Sequence, residues 1–509
     1  MEGAISAGLL GRSRSGSDAS YTFQHALIQD AAYESMLKSD RRALHARAGD
    51  LLSHQAIGLV NTEPELLARH YTAGEAWDQA VPLWLKAGQL AWARAAAQEA
   101  IAHLNAGIAL VERISQPAQR DALELGLQST LGVVHFAALS YAAPQAQAAF
   151  ERAQALCERI PDAAMKAPVL YGLGAFQTMK GDARAGHLTF ERMRVEADAA
   201  VQPRLQFAAQ AVLAWSHANL GQHTQAIAAA EQVRRLVQAG ALTGVRLGAA
   251  DPRMFSECFA AMSLWALGHA DQARAASDAV LALARTLDPY SLAYALTFGA
   301  IVVPELCGDD ATVIARADEG IALCRNLGYP FLESSGLIRR SWALGRSGDA
   351  ATVATALAAL DQAISRNDSL GVGYLRGQYL AWRARLLLRM GDKGAAQLAV
   401  TQALGQIENS GNLIAAADVL LTEAEVLLAH GGERRARANA ALQTACDLAR
   451  GQGARAWTLR ATLALARLCA EDDGPAAARD LLTPVLADLS EGHDTPDLQD
   501  ARQLLAAWA

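Results

Sequence analysis

The sequence predicts an all-α superhelical solenoid of about ten helical hairpins, preceded by a small β-hairpin and helix. Three observations carry this. A glycine followed by a short polar turn recurs every 40 residues or slightly more. Small residues recur at fixed distances from that glycine. The composition, 52% hydrophobic and 19% charged with only 14 prolines, is rich in helix formers. A single core rarely grows to 509 residues, so an array or several domains is required.

The turn glycines are Gly181, Gly221, Gly268, Gly308, Gly348, Gly391 and Gly431, separated by 40, 47, 40, 40, 43 and 40 residues. Seven positions before them stand Gly174, Ala214, Ala261, Ile301, Ser341, Ala384 and Ala424. All but Ile301 are small, as two closely crossing helices require. Five positions after them stand Gly186, Ala226, Ala273, Val313, Val353, Ala396 and Ala436. Four further on come Phe190, Ala230, Ser277, Ala317, Leu357, Val400 and Ala440. A step of four keeps both sets on one helical face. The glycine suits a left-handed helix C-cap. Asp182, Asp309, Asp349 and Asp392, directly after it, are placed to open the next helix. Further hairpins are expected from Gly74 to Ala109 (Ala80, Trp84 and Ala87 on one stripe), from Leu131 to Cys157 (Ala146, Phe150, Ala153), and after Gly474 (Ala478, Leu482, Val485). A helical bundle without repeats has no reason to space glycine in this way.

This order of small residue, turn glycine, small residue and larger residue resembles the tetratricopeptide repeat, over roughly residues 45–509. The family unit is about 34 residues. The longer spacing here implies longer helices, as in the regulatory arrays of large bacterial signalling proteins.

The N-terminal segment differs. Leu9-Leu10-Gly11, a polar stretch Arg12–Asp18 and Tyr21-Thr22-Phe23 read as two short strands around a glycine-containing turn. His25 to Leu37 then has helical periodicity. The string from Tyr21 to Leu37 is similar to the segment that follows the ATPase module in bacterial signal-transduction ATPases of the STAND type. There it closes a small winged-helix domain, and many such proteins also carry a class III adenylate or guanylate cyclase domain. Leu66 to Tyr71, with Trp77, Ala80 and Trp84, resembles that family's first repeat. The resemblance implies a winged-helix remnant over 1–38 and a tetratricopeptide-like array over 39–509. No Gly-x-x-x-x-Gly-Lys-Ser/Thr loop occurs in the sequence, so its phosphate cradle is missing. The chain is therefore expected to be the C-terminal sensor part of such a protein, whether a stand-alone product, a split one or a truncated gene model.

Composition narrows the function. A formal charge of −7 offers no basic footprint for nucleic acid. The six cysteines, at 157, 258, 307, 324, 446 and 469, are too dispersed for a zinc knuckle or a redox pair and read as buried thiols of a reduced cytosolic protein. Cys307 and Cys324 fall on the two arms of one hairpin. The longest uncharged stretch, Leu125–Phe150, contains too many polar residues for a membrane span and reads as two helices around Pro144. No secretion signal is visible, so a cytoplasmic location is expected. None of the 12 histidines forms a metal-binding pair. His217 with His223, His45 with His54, and His25 at the strand-to-helix step read as structural.

No catalytic residues, cofactor or metal are expected, and no enzymatic activity. The expected function is a protein-interaction and sensor scaffold holding a protein or peptide in a concave groove. An ATPase or cyclase module is a further expected partner; nucleic acid and membrane are not. Carrying the family's concave positions onto this register selects Trp215, Phe255, Met262, Trp265, Phe298, Trp342, Arg346, Arg385 and Arg389. Aromatic and arginine side chains dominate binding hot spots. The competing assignments are part of an ATP-dependent cyclase whose catalytic domains lie elsewhere, and the sensor domain of a transcriptional regulator. The phosphate-binding loop and a basic recognition helix, respectively, would mark them, and the sequence shows neither.

Overall fold

The computed structural model describes residues 2–15, 18–55, 58–94, 96–138, 143–160, 163–240, 250–431 and 434–508. The chain divides into two compact units, Met1–Leu131 and Gly132–Ala509.

The first unit opens with α1 (Glu2–Ser6) and an antiparallel hairpin, β1 (Leu10–Ser15) and β2 (Asp18–Phe23). Their register runs from Leu10 opposite Phe23 to Ser15 opposite Asp18. The two expected strands are therefore present, and they form the one sheet among the described residues. Helices α2 (Ala26–Glu34), α3 (Lys38–Gln55), α4 (Leu59–Thr62), α5 (Pro64–Ala73), α6 (Trp77–Ala93) and α7 (Ala97–Val111) follow. Tyr71 donates to Asp50 Oδ1 at 3.1 Å, and Trp84 Nε1 donates to Thr72 Oγ1 at 2.9 Å, tying α3, α5 and α6 together. By contrast α2 buries no residue, and Leu27 and Leu37 are 81% and 69% exposed.

Helix α8 (Pro117–Ala138) spans the division between the units. It stops before the described Ala143, and α9 (Pro144–Cys157) starts at the proline, as expected of that uncharged stretch. The hairpins of the second unit are α10 (Ala163–Lys180) with α11 (Ala183–Ala199), α12 (Pro203–Asn219) with α13 (His223–Gln238), and α14 (Pro252–Ala266) with α15 (Ala270–Ala284). Next, α16 (Pro289–Thr297) and α17 (Val302–Leu306) together pair with α18 (Asp310–Leu327). Then come α19 (Pro330–Ser347) with α20 (Ala350–Ser369), α21 (Arg376–Arg389) with α22 (Lys393–Ser410), and α23 (Ala416–Ala429) with α24 (Arg435–Gly451). The last pair is α25 (Arg455–Asp472) with α26 (Pro475–Ala487), followed by α27 (Pro496–Ala507).

The repeat signature has a direct structural counterpart. All seven residues that precede the turn glycines by seven positions are buried. Asp182, Asp309, Asp349 and Asp392 each accept a hydrogen bond from the backbone N–H three residues on, at 2.8 to 3.0 Å. Six of the seven turn glycines have φ between 70° and 109°; Gly348, at −72°, does not. At the last turn the register shifts: Ala436 and Ala440 are exposed, whereas the residues five positions after the other six glycines are all buried. Helix α24 starts four residues after its glycine, whereas the others start two after, so Ala438 and Leu442 take the buried face instead.

The second unit also folds back on itself. Met179 O accepts from Gly373 N at 2.9 Å and Tyr374 N at 3.1 Å, and Asn219 O accepts from Leu413 N at 2.6 Å. Tyr374 Oη accepts the Trp215 indole N–H at 3.0 Å and donates to Asn219 Oδ1 at 2.8 Å. The rings of Trp265 and Trp457 meet edge to face at 5.1 Å. At the margin, Arg274 pairs with Asp494 at 2.7 Å and Gln272 bonds Glu491. Early hairpins thus lie against late ones, forming a seam. The approach is close enough to demand glycine: a Cβ at position 373 would stand 2.4 Å from Lys180 O.

Candidate functional site

The nine residues selected from the sequence fall on three cavities inside the second unit. Trp215, Phe255 and Phe298 border a small apolar cavity of about 60 Å³ with Phe150, Tyr294 and Phe331. Their rings also touch one another: Trp215 lies 5.6 Å from Phe255 and 5.8 Å from Tyr374, and Phe298 lies 5.6 Å from Tyr374. Trp215 and Phe298 are buried and Phe255 is half-buried, so much of this aromatic set fills space between early and late hairpins. Met262 and Trp265 border a second cavity, of about 30 Å³, with His223, Arg339 and Trp457.

Trp342, Arg346, Arg385 and Arg389 converge on the third and largest cavity, about 690 Å³. It is framed by α17, α19, α21, α23 and α25 and bounded by the start of α27. Trp342 is buried and stacks on Trp382 with centroids 5.4 Å apart and planes 3° from parallel. The Arg346 guanidinium sits 5.7 Å from the Trp342 ring and bonds Asp310 through Nε at 3.0 Å.

The arginines of this cavity are bound on arrival. Arg385 donates to Asp418 at 2.7 Å and to both oxygens of Glu425 at 2.8 and 3.0 Å. Burial opposes its charge, but the two carboxylates outweigh burial and hold its pKa above the ordinary guanidinium value. Arg460 pairs with Asp497 at 2.7 Å, and Arg467 bonds Asp500. Arg389 is different. Among the described residues its donors go to main-chain carbonyls alone: Gly345 O, Arg346 O at 2.6 Å and Gly348 O at 2.7 Å. It thereby satisfies the C-terminus of α19, where Gly348 lacks the left-handed backbone of the other turns.

At the wall lies a fully buried ion pair, Arg339 with Glu305, whose side chains are 2% and 3% exposed; Glu305 borders the cavity and Arg339 lies behind it. Burial alone would push Arg339 towards its neutral form; the adjacent carboxylate overrides it and holds the guanidinium charged.

Trp382, Trp457, Arg460 and Glu425 also line the large cavity and were not selected from the sequence. Trp382 shares α21 with Arg385, and its position one turn before that residue was a usable signal. Arg460 lies 4.8 Å from the Trp265 ring and 5.0 Å from the Trp457 ring, a contact across the seam that no local periodicity announces. Among the described residues no group of three or more histidine, cysteine, aspartate or glutamate side chains is placed to hold a metal. The described cysteines are all free thiols. No described helix is long and apolar enough to cross a membrane.

No protein-family model matches the chain. An uncharacterized protein of Rhizobium meliloti (strain 1021) is 25% identical over 463 residues, which cover 89% of this chain and 44% of that protein. The chain thus spans less than half the length of this curated relative. Among solved structures, a Rap protein complexed with competence and sporulation factor superposes with a TM-score of 0.53 at 14% identity, covering 73% of this chain and 99% of that one. The human IFIT1 dimer with m7Gppp-AAAA gives a TM-score of 0.43 at 11% identity, over 84% of this chain and 90% of that one. The hairpin repeat and the likeness to the Rap protein together make the fold a tetratricopeptide-like helical solenoid.

Proposed function

We propose that the chain is a non-catalytic scaffold that captures a short peptide or protein segment inside its second unit. The observation that carries this reading is the cavity of about 690 Å³ on which Trp342, Arg346, Arg385 and Arg389 converge. Its volume suits a short segment lying in a cleft, and its aromatic and arginine lining suits a peptide better than an apolar metabolite. The fold neighbour solved with a competence and sporulation factor supports the idea that an array of this type takes a ligand. The formal charge of −7 favours a protein or peptide over nucleic acid.

A random heptapeptide library tests it. The full chain is expected to retain a subset of peptides, and Leu388→Trp, which fills the cavity from α21, is expected to weaken retention at least about tenfold with little change in thermal midpoint. Equal retention by the variant would place binding elsewhere.

The finer reading is that this scaffold is the regulatory, sensing part of a signal-transduction ATPase or cyclase-type protein, with residues 1–38 as a winged-helix remnant. The similarity of Tyr21–Leu37 to the STAND junction supports it. So do the exposed Leu27 and Leu37, which offer a face for another module, and the greater length of the Rhizobium meliloti relative. Calorimetry against an ATPase module of that class is expected to show binding by the full chain that is lost in the Leu27→Asp, Leu37→Asp double variant. Absence of binding, or binding that survives the substitutions, removes this face from the account.

A further inference from the structure

The large cavity has a charge pattern that selects its occupant. Five arginines and six carboxylates line it, and the carboxylate in excess, Glu305, is bonded to Arg339 behind the wall. The formal charge is therefore balanced. A ligand of one sign gains no net attraction there, and each ion pair it makes with an already paired side chain costs an existing arginine–carboxylate pair, leaving a desolvated partner alone. A ligand carrying both signs escapes that penalty, because its acid and its base replace both members of a pair together.

The geometry singles out where this exchange happens. Arg389 holds only main-chain carbonyls among the described residues, so it has no carboxylate to surrender. One turn earlier on α21, Arg385 carries two carboxylates, Asp418 and Glu425. Asp418 is 9% exposed, but Glu425 is 48% exposed and is the one free to turn towards a ligand. An arginine lacking an acid thus stands one turn along α21 from an arginine that can spare one, Glu425 of α23, and all three side chains line the same cavity.

We propose that the cavity recognises a peptide segment bearing an acidic and a basic side chain close together, the acid docking on Arg389 and the base on Glu425. This rests on the peptide-capture reading above and specifies its ligand. The segment enters without uncovering the buried Arg339–Glu305 pair, which stays intact as the floor.

The same heptapeptide library supplies the test, now read by sequencing the retained peptides. The expected result is enrichment of peptides with one Asp or Glu and one Lys or Arg within four positions of each other. Glu425→Gln, at an exposed position, is expected to erase the basic preference and keep the acidic one. Arg389→Gln is expected to do the reverse. Retained peptides of a single charge sign, or of no charge, overturn this proposal while leaving peptide capture standing. Retention of nothing overturns both. A basic preference unchanged in Glu425→Gln also overturns it, whatever the stability of the Arg389 variant.

Discussion

His223 opens α13 with its ring 3% exposed, Nδ1 3.4 Å from Ser263 Oγ and Nε2 without a hydrogen-bond partner among the described residues. Burial lowers its pKa from 6.5 to about 4, so the folded ring is neutral near pH 7. Between those values the unfolded chain binds a proton that the folded one refuses. Its contribution is fully present above pH 6.5 and is lost as the pH falls towards 4, at most about 3 kcal/mol. His70, His135 and His187 are depressed by burial too and act in the same direction. Replacing His223 with Gln is expected to flatten the acid limb of the urea-midpoint profile between pH 6.5 and 4; a limb that keeps its slope would assign it to those other rings. At this scale the sequence was partly legible. The concave positions implied by the family resemblance, carried onto the repeat register, led to Trp342, Arg346, Arg385 and Arg389, which line one cavity. That register could not tell that Trp342 stacks on Trp382, because a helical stripe does not distinguish a wall from a groove.

The elements were the most legible part, because each is specified by a few residues with a local job. The aspartates after the turn glycines cap the helices that follow, a contribution worth about 1 kcal/mol per cap. The prolines at the starts of α12, α14, α16 and α19 sit where a missing N–H costs no helical bond. Two departures show where local rules end. Gly348 stays at negative φ, and its neighbouring carbonyls are satisfied by Arg389 from the next hairpin rather than by their own turn. Helix α24 starts late and shifts its buried face by two residues, which a fixed register could not foresee.

Across the second unit the seam was illegible, since repeats give the spacing of hairpins but not how early ones meet late ones. Its two halves differ in strength. The Arg274–Asp494 pair at the margin is largely solvated, worth below about 1 kcal/mol. Tyr374 lies inside, where burial raises its pKa and keeps the phenol protonated as a donor to Asn219. Tyr374→Phe leaves the buried Trp215 N–H and Asn219 Oδ1 without that partner and is expected to cost about 1–3 kcal/mol, read as a lowered urea midpoint with faster amide exchange at Leu413. Unchanged exchange there would show that the seam holds without it. In an ordinary array each hairpin needs only its neighbours. Here the Met179 carbonyl waits for Gly373, which follows 194 residues later in the chain. At the pace of translation that is roughly 10–40 s. Trp215 precedes its tyrosine by 159 residues, so for most of that interval the nascent chain carries an indole without the phenol that covers it, an aromatic surface open to chaperones while the protein is still on the ribosome.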